Sequence, residues 1–220
     1  MISAQERPFI DWAWIGRNAD DILDRTWEHL FLTLVPVAIG IVIALGLTVI
    51  VLRWRGSFAP ITVTAGVLYT IPSLAAFAFL IPIVGLNRTN AVIALTSYTL
   101  LILVRNFVAG IDGTPQATLE AADGMGYTRS SRFWRMEVPL ALPVMIAGVR
   151  IATVTTVGLV TVSVILGLGG YGFFILRGFQ TRQMTQTLVG LILSILLATL
   201  LDFIFLAVQR LLTPWSRRGG

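Results

Sequence analysis

Apolar residues in this chain come in long uninterrupted blocks, not as the narrow stripes that a water-soluble helix or strand buries on one side. Leu30–Leu52 carries no charge, and neither does Gly56–Asn87, which holds one stretch of spanning length from about Pro60 to Val84. Thr89–Val104 extends to about Ile111 through Arg105 and Asn106. Val138–Leu166 is interrupted only by Arg150, and Gln186–Leu212 only by Asp202 and Arg210 among charged groups. A bilayer-spanning helix needs about 20 mainly apolar residues. The pattern therefore predicts an all-α, polytopic membrane helix bundle of about five transmembrane helices. It divides the chain into an N-terminal segment over 1–28, a transmembrane domain over 29–212 that contains a polar loop at 112–139, and a tail over 213–220.

The first 28 residues lack the apolar core of a cleavable signal and carry Glu6, Asp11, Asp20, Asp21, Asp24 and Glu28. With Phe9, Ile10, Trp12, Trp14 and Ile15 among these acids, they fit either a short interfacial helix or a loosely ordered tail. Span 1 is then an uncleaved anchor.

Composition supports the membrane reading and removes several chemistries. The chain is 56% hydrophobic and 12% charged, with a mean hydropathy of +0.85. Cysteine is absent, which excludes disulfides and thiolate chemistry, and His29 is the single histidine, so no histidine cluster can hold a metal. All 16 basic residues are arginine. Without lysine the chain cannot be a conventional P-loop ATPase or a pyridoxal-phosphate enzyme. The pI of about 10.7 comes from arginines scattered between apolar blocks, the pattern of membrane-flanking charges and not of a nucleic-acid interface.

With the N-terminus outside, Arg53, Arg55, Arg129, Arg132, Arg135, Arg210, Arg217 and Arg218 fall on the cytoplasmic side, against Arg7, Arg17, Arg25, Arg88, Arg177 and Arg182 outside. Eight against six weakly favours that orientation.

The loop between spans 3 and 4, Asp112 to Pro139, is the one long polar stretch inside the apolar region. Thr114 is expected to cap a short helix that has Pro115 at its first position, with Gly124 and Gly126 as its stop. Thr128 is expected to cap a second short helix through Met136, limited by Pro139. The result is a helix–glycine turn–helix, amphipathic and basic, shaped to dock in a groove on a partner.

Glu120-Ala121-Ala122, then Gly126, then Met136-x-Val138-Pro139 at the following nine-residue spacing resembles the EAA loop of ATP-binding-cassette importer permeases. Met136 stands where that pattern has isoleucine and Val138 where it has leucine, both apolar and of similar bulk. The resemblance implies a type I importer permease whose loop is a cytoplasmic coupling helix, and hence an outside N-terminus and a cytoplasmic C-terminus in a bacterial inner membrane. It implies no cofactor on this chain, with ATP and magnesium bound by a partner ATPase. A second permease subunit, identical or homologous, and an extracytoplasmic solute-binding protein complete the expected assembly, with no nucleic acid. Glu120 would pair with a basic group of the ATPase, and Ala121 and Ala122 would permit close approach.

Residues 70–77, 103–111 and 140–153, with Gly167-Leu-Gly-Gly-Tyr-Gly172, are similar to permeases for quaternary-ammonium osmoprotectants such as glycine betaine, choline, carnitine or proline betaine. Methionine-type permeases share the size and the loop, and a secondary transporter or channel subunit is the alternative from another class. The glycine-rich segment lacks a phosphate-loop lysine and is expected to be a flexible or re-entrant outer loop that would face the binding protein.

Arg150 lies about 16 Å from Pro139, and Asp202 about 12 Å from Arg210, at 1.5 Å per helical residue. Similar depth on the same side predicts an Arg150–Asp202 ion pair, with Arg105 as the competing partner. Tyr69, Phe77, Phe79 and Tyr98 could offer aromatic faces to a cationic solute, although packing within the bundle is the simpler reading. Pro72 and Pro82 are expected to bend span 2 near the pathway.

Overall fold

The structure, a computed structural model, describes residues 10–217. Glu6, Arg7, Phe9 and Arg218, which enter the expectations for the two ends, lie outside the described residues. In chain order the helices are α1 (Trp12–Arg17), α2 (Ala19–Arg53), α3 (Phe58–Thr70), α4 (Ser73–Val84), α5 (Arg88–Asp112), α6 (Gln116–Gly124), α7 (Arg129–Arg132), α8 (Val138–Val162), α9 (Gly172–Thr181) and α10 (Met184–Leu212). A π-helical turn, Phe133–Glu137, joins α7 to α8, and 3-10 turns at Arg55–Ser57, Ser163–Leu166 and Pro214–Arg217 complete the described elements.

Among the described residues, four stretches are long and apolar enough to cross a membrane: α2, α5, the continuous run Arg129–Leu166, and α10. The remaining apolar block is broken, with α3 and α4 meeting at 96°. At about 1.5 Å per residue, neither half alone reaches across a hydrocarbon core of about 30 Å. Whether the pair crosses is decided by its neighbours. Arg55, just after α2, donates from one guanidinium nitrogen to both oxygens of Asp112 at the end of α5, at 2.7 and 2.9 Å. At the other end Arg88 sits 5.7 Å over the ring of Phe31. So α2 and α5 run parallel, and the chain between Arg55 and Arg88 returns across the bundle through the broken pair. With the broken pair counted as one span, the described residues make five crossings. The ends of α2, α5 and α10 and the start of α8 share one face, called here the loop face.

The break falls at Ile71-Pro72, where proline removes a donor and drives the preceding residue into an extended conformation, φ −62° and ψ 127° at Ile71. The Tyr98 hydroxyl donates to the freed Ile71 carbonyl at 2.5 Å, satisfying a backbone group that lipid could not. Pro82, by contrast, is carried inside α4.

Small residues set the closest helix contacts. A Cβ on Gly40 of α2 would come within 2.0 Å of the Thr99 hydroxyl on α5, and one on Gly148 of α8 within 2.4 Å of Asn106. Such small-residue contacts replace the hydrophobic driving force that lipid does not supply. α5 is the centre: 56% of its apolar window is buried, against 11% for α10, whose outward face is left to lipid or another subunit.

Three expectations for local structure differ. α2 begins at Ala19, so the boundary at 28/29 falls inside one helix: Asp20 and Asp21 complement its N-terminal dipole, and Arg25 pairs with Asp21 and Glu28 one turn either side. Pro115, not Thr114, is the N-cap of α6, with its carbonyl accepting from Thr118 and Leu119, and the Thr114 hydroxyl finds no hydrogen-bond partner among the described residues. Pro139 does not end the second loop helix, because the π-helical turn before it lets the chain run on into α8 with the proline in the tolerated first turn.

Candidate functional site

The loop-face site is built on α6. Its sequence accounts for the spacing from Glu120 to Gly126. The helix ends at Gly124; Gly126 adopts φ +81°, its amide donates to Asp123 O at 3.0 Å, and the Tyr127 amide reaches back to Ala122 O at 3.1 Å. This is the Schellman arrangement, in which a left-handed residue closes the last turn and two orphan carbonyls are satisfied. Ala122 is fully buried at that closure, so its smallness serves the loop's own packing, whereas Ala121 is exposed and available to another surface. Glu120 is also exposed and accepts from the Gln116 side-chain amide at 3.2 Å.

The second arm is tied to the first by Arg132. This guanidinium donates to Asp123 on α6 at 2.6 Å and to Glu137 in the π-helical turn at 3.0 Å. Thr128 caps the arm by accepting from Ser131 N at 3.3 Å. Met136, Val138 and Pro139 are half-buried at the root of α8, while Met125 and Trp134 stand 63% and 66% exposed on the loop. Two large apolar side chains are thus left to solvent on a loop braced by ion pairs, a composition suited to contact with another surface. Sequence reading did not single out Asp123, Arg132 and Glu137; three opposite charges within one predicted helical hairpin were the available signal.

Within the bundle, Arg150 and Asp202 meet. Nε and Nη2 of Arg150 donate to the two carboxylate oxygens at 2.8 Å each, and Gln209 accepts from Nη1 at 3.4 Å while donating to Pro143 O at 3.2 Å. A bidentate fork with a polar neighbour is a low-energy way to hold an arginine at that depth. Arg105 is exposed elsewhere, beside Val51, Phe58 and Asp112.

Tyr69, Pro72 and Tyr98 come together at the broken span, the two tyrosine rings edge to face at 6.0 Å. Phe77 does not join them: it is fully buried among Leu32, Ala91 and Leu95, with no face to offer a solute within this chain.

On the face opposite the loop, the glycine-rich segment is held tightly. Gly167, Gly169 and Gly170 take positive φ, and the Gly170 amide donates to Glu28 at 3.1 Å. The Tyr171 amide donates to His29 Nδ1 at 3.2 Å, which leaves Nε2–H to donate to Val157 O at 3.1 Å. Tyr171 also donates to the Thr26 hydroxyl at 3.0 Å. The segment is therefore a pinned turn, after which α9 runs beside the first turns of α10, with Gly178 against Thr187 and Gly190 against Ile175. Glu28 and His29 had no assigned role in the sequence reading; one lone histidine gives no signal until its partners are known.

Comparison with known proteins bears on this arrangement. Residues 37–218 match the family described as "Binding-protein-dependent transport system inner membrane component". The chain is 32% identical, over 94% of its length and 95% of the relative's, to the glycine betaine/carnitine/choline transport system permease protein OpuCB of Bacillus subtilis. It is 34% identical, over 90% of its own length and 94% of the relative's, to the osmoprotectant import permease protein OsmW of Salmonella typhimurium. Among solved structures, an inward-facing MetNI methionine ABC transporter matches with a TM-score of 0.74 at 24% identity, covering 87% of this chain and 96% of that one, a likeness of fold. The five crossings, the braced loop and the match over most of the chain agree: this protein belongs to the family of binding-protein-dependent transport system inner membrane components.

Proposed function

We propose that this permease carries a quaternary-ammonium osmoprotectant, such as glycine betaine, choline or carnitine, into the cell. The observation that carries the reading is full-length similarity to permeases named for those solutes. In this reading the Glu120–Pro139 loop is cytoplasmic and seats in a cleft of a partner ATPase, which binds ATP and magnesium. Glu120 and Ala121 form the contact, and Gly126 sets its shape. Two permease chains enclose the pathway, because one five-helix bundle encloses none of its own and leaves apolar faces of the broken span and α10 exposed. A separate binding protein delivers the solute to the face carrying Glu28, His29 and the glycine turn; deeper in, at the broken span, the 37% exposed Tyr69, set edge to face against the buried Tyr98, offers aromatic surface to a permanent cation. The loop is cytoplasmic, so the N-terminus lies outside and the C-terminus inside.

Competition in a reconstituted system tests the substrate class. Excess unlabelled choline, carnitine and proline betaine are each offered against labelled glycine betaine, with methionine as the contrasting solute. Inhibition by the quaternary amines alone is expected. Inhibition by methionine alone would overturn the substrate assignment while leaving the family membership intact.

A further inference from the structure

The loop face holds a recess of about 620 Å³ between the ends of α2 and α5 and the two arms of the loop. Its charged lining is Arg55, Arg129 and Arg132 with Asp112 and Glu137, and Leu52, Ile111, Leu119 and Phe133 supply apolar wall. The arginines are not used up by the carboxylates. Arg55 engages Asp112 through Nη1 alone, which leaves Nε and Nη2. Arg132 spends Nε on Glu137 and Nη1 on Asp123, leaving Nη2. Arg129 is exposed and makes no ion pair among the described residues, so its whole donor fork is available.

Two further observations point to an anion. The N-terminus of α6, whose first residue Gln116 lines the recess, has no side-chain cap, and the first amides of a helix have no partner within it. Thr114, in the same wall, is only 8% exposed, yet its hydroxyl has no hydrogen-bond partner among the described residues. A cluster of guanidinium donors, an uncapped helix N-terminus and an orphaned hydroxyl around one recess are the chemistry of a phosphate site. An apolar wall at the mouth of a membrane bundle is the setting of a phospholipid headgroup.

We propose that this recess binds a phosphate group, so that a bound anion braces α6 against the ends of α2 and α5. Such binding would stiffen the loop without touching Glu120 or Ala121. The proposal is independent of the transported solute.

The purified full chain in neutral detergent tests it. Fluorescence of the tryptophans, among them Trp134 beside the recess, is titrated with short-chain phosphatidylglycerol, with short-chain phosphatidylcholine and with inorganic phosphate. Saturable binding by phosphatidylglycerol but not phosphatidylcholine identifies a lipid source, and saturation by inorganic phosphate identifies a free anion. In either case Arg129→Gln should weaken binding by about tenfold, the loss of one charged hydrogen-bonding group, and Arg177→Gln on the opposite face should not. The folded state of Arg129→Gln is checked by its unchanged thermal midpoint without ligand. Absence of saturation with either phosphate-bearing probe, or equal affinity in Arg129→Gln and the parent, would overturn the proposal.

Discussion

Asp202 gives both of its oxygens to the Arg150 fork, so removing one partner leaves a charge stranded among α8 and α10. Asp202→Asn should lower stability by about 2 kcal/mol, read as an earlier unfolding transition in detergent. The paired change Arg150→Met with Asp202→Leu removes both charges and should recover most of the loss. If the single Asn variant unfolds with the parent, the pair contributes nothing and the role assigned to it is wrong. At the loop, two glycines two residues apart should behave oppositely. Gly126 needs its positive φ although nothing lies within 4 Å of an added Cβ, so Gly126→Ala should cost about 1 kcal/mol through the backbone alone. Gly124 is an ordinary helical residue with open space around it, and Gly124→Ala should be neutral or stabilising by up to about 1 kcal/mol. Amide exchange at Tyr127, whose hydrogen bond to Ala122 depends on the turn, distinguishes the two variants. Equal protection in both would contradict the Schellman assignment.

Among the elements, the long apolar blocks announced α2, α5, α8 and α10 because a charge-free stretch of spanning length has few other solutions. The Glu120–Gly126 spacing announced α6 because a left-handed closure needs glycine at one position. The break in the second span was harder to read. Pro72 and Pro82 look alike in sequence, yet only Pro72 breaks the helix, since Tyr98 is placed to take the carbonyl freed beside it while Pro82 stays inside α4. The continuity of the second loop arm into α8 was hidden for a similar reason: a π-helical turn has no composition of its own, and Pro139 read as a stop. The glycine turn was the least legible element, because its fixation depends on Glu28 and His29, which lie more than a hundred residues away in sequence. His29→Ala removes the acceptor of the Tyr171 amide and should speed its exchange by roughly tenfold, the equivalent of one lost hydrogen bond, with the loop face unaffected. Unchanged protection of Tyr171 would show that the turn is held by packing alone.

For the molecule as a whole, two faces with different constructions are joined by helices that pack through glycine. One face carries a pinned glycine turn and an acidic helix start; the other carries a braced hairpin on which Glu120, Ala121, Met125 and Trp134 are exposed. Helices α2, α5 and α8 meet at Gly40, Gly110 and Gly148, where their close approach leaves little room for a larger side chain. In the proposed function the energy source is a partner ATPase, and the sequence has no lysine with which to build a conventional P-loop of its own. The most direct measurement is accumulation of labelled glycine betaine in proteoliposomes holding this permease, with the partner ATPase and binding protein added or withheld. Uptake that requires the ATPase and ATP, and that falls sharply when Glu120 and Gly126 are replaced together, is the expected result. Equal uptake without the ATPase, or with both loop residues replaced, would contradict the account.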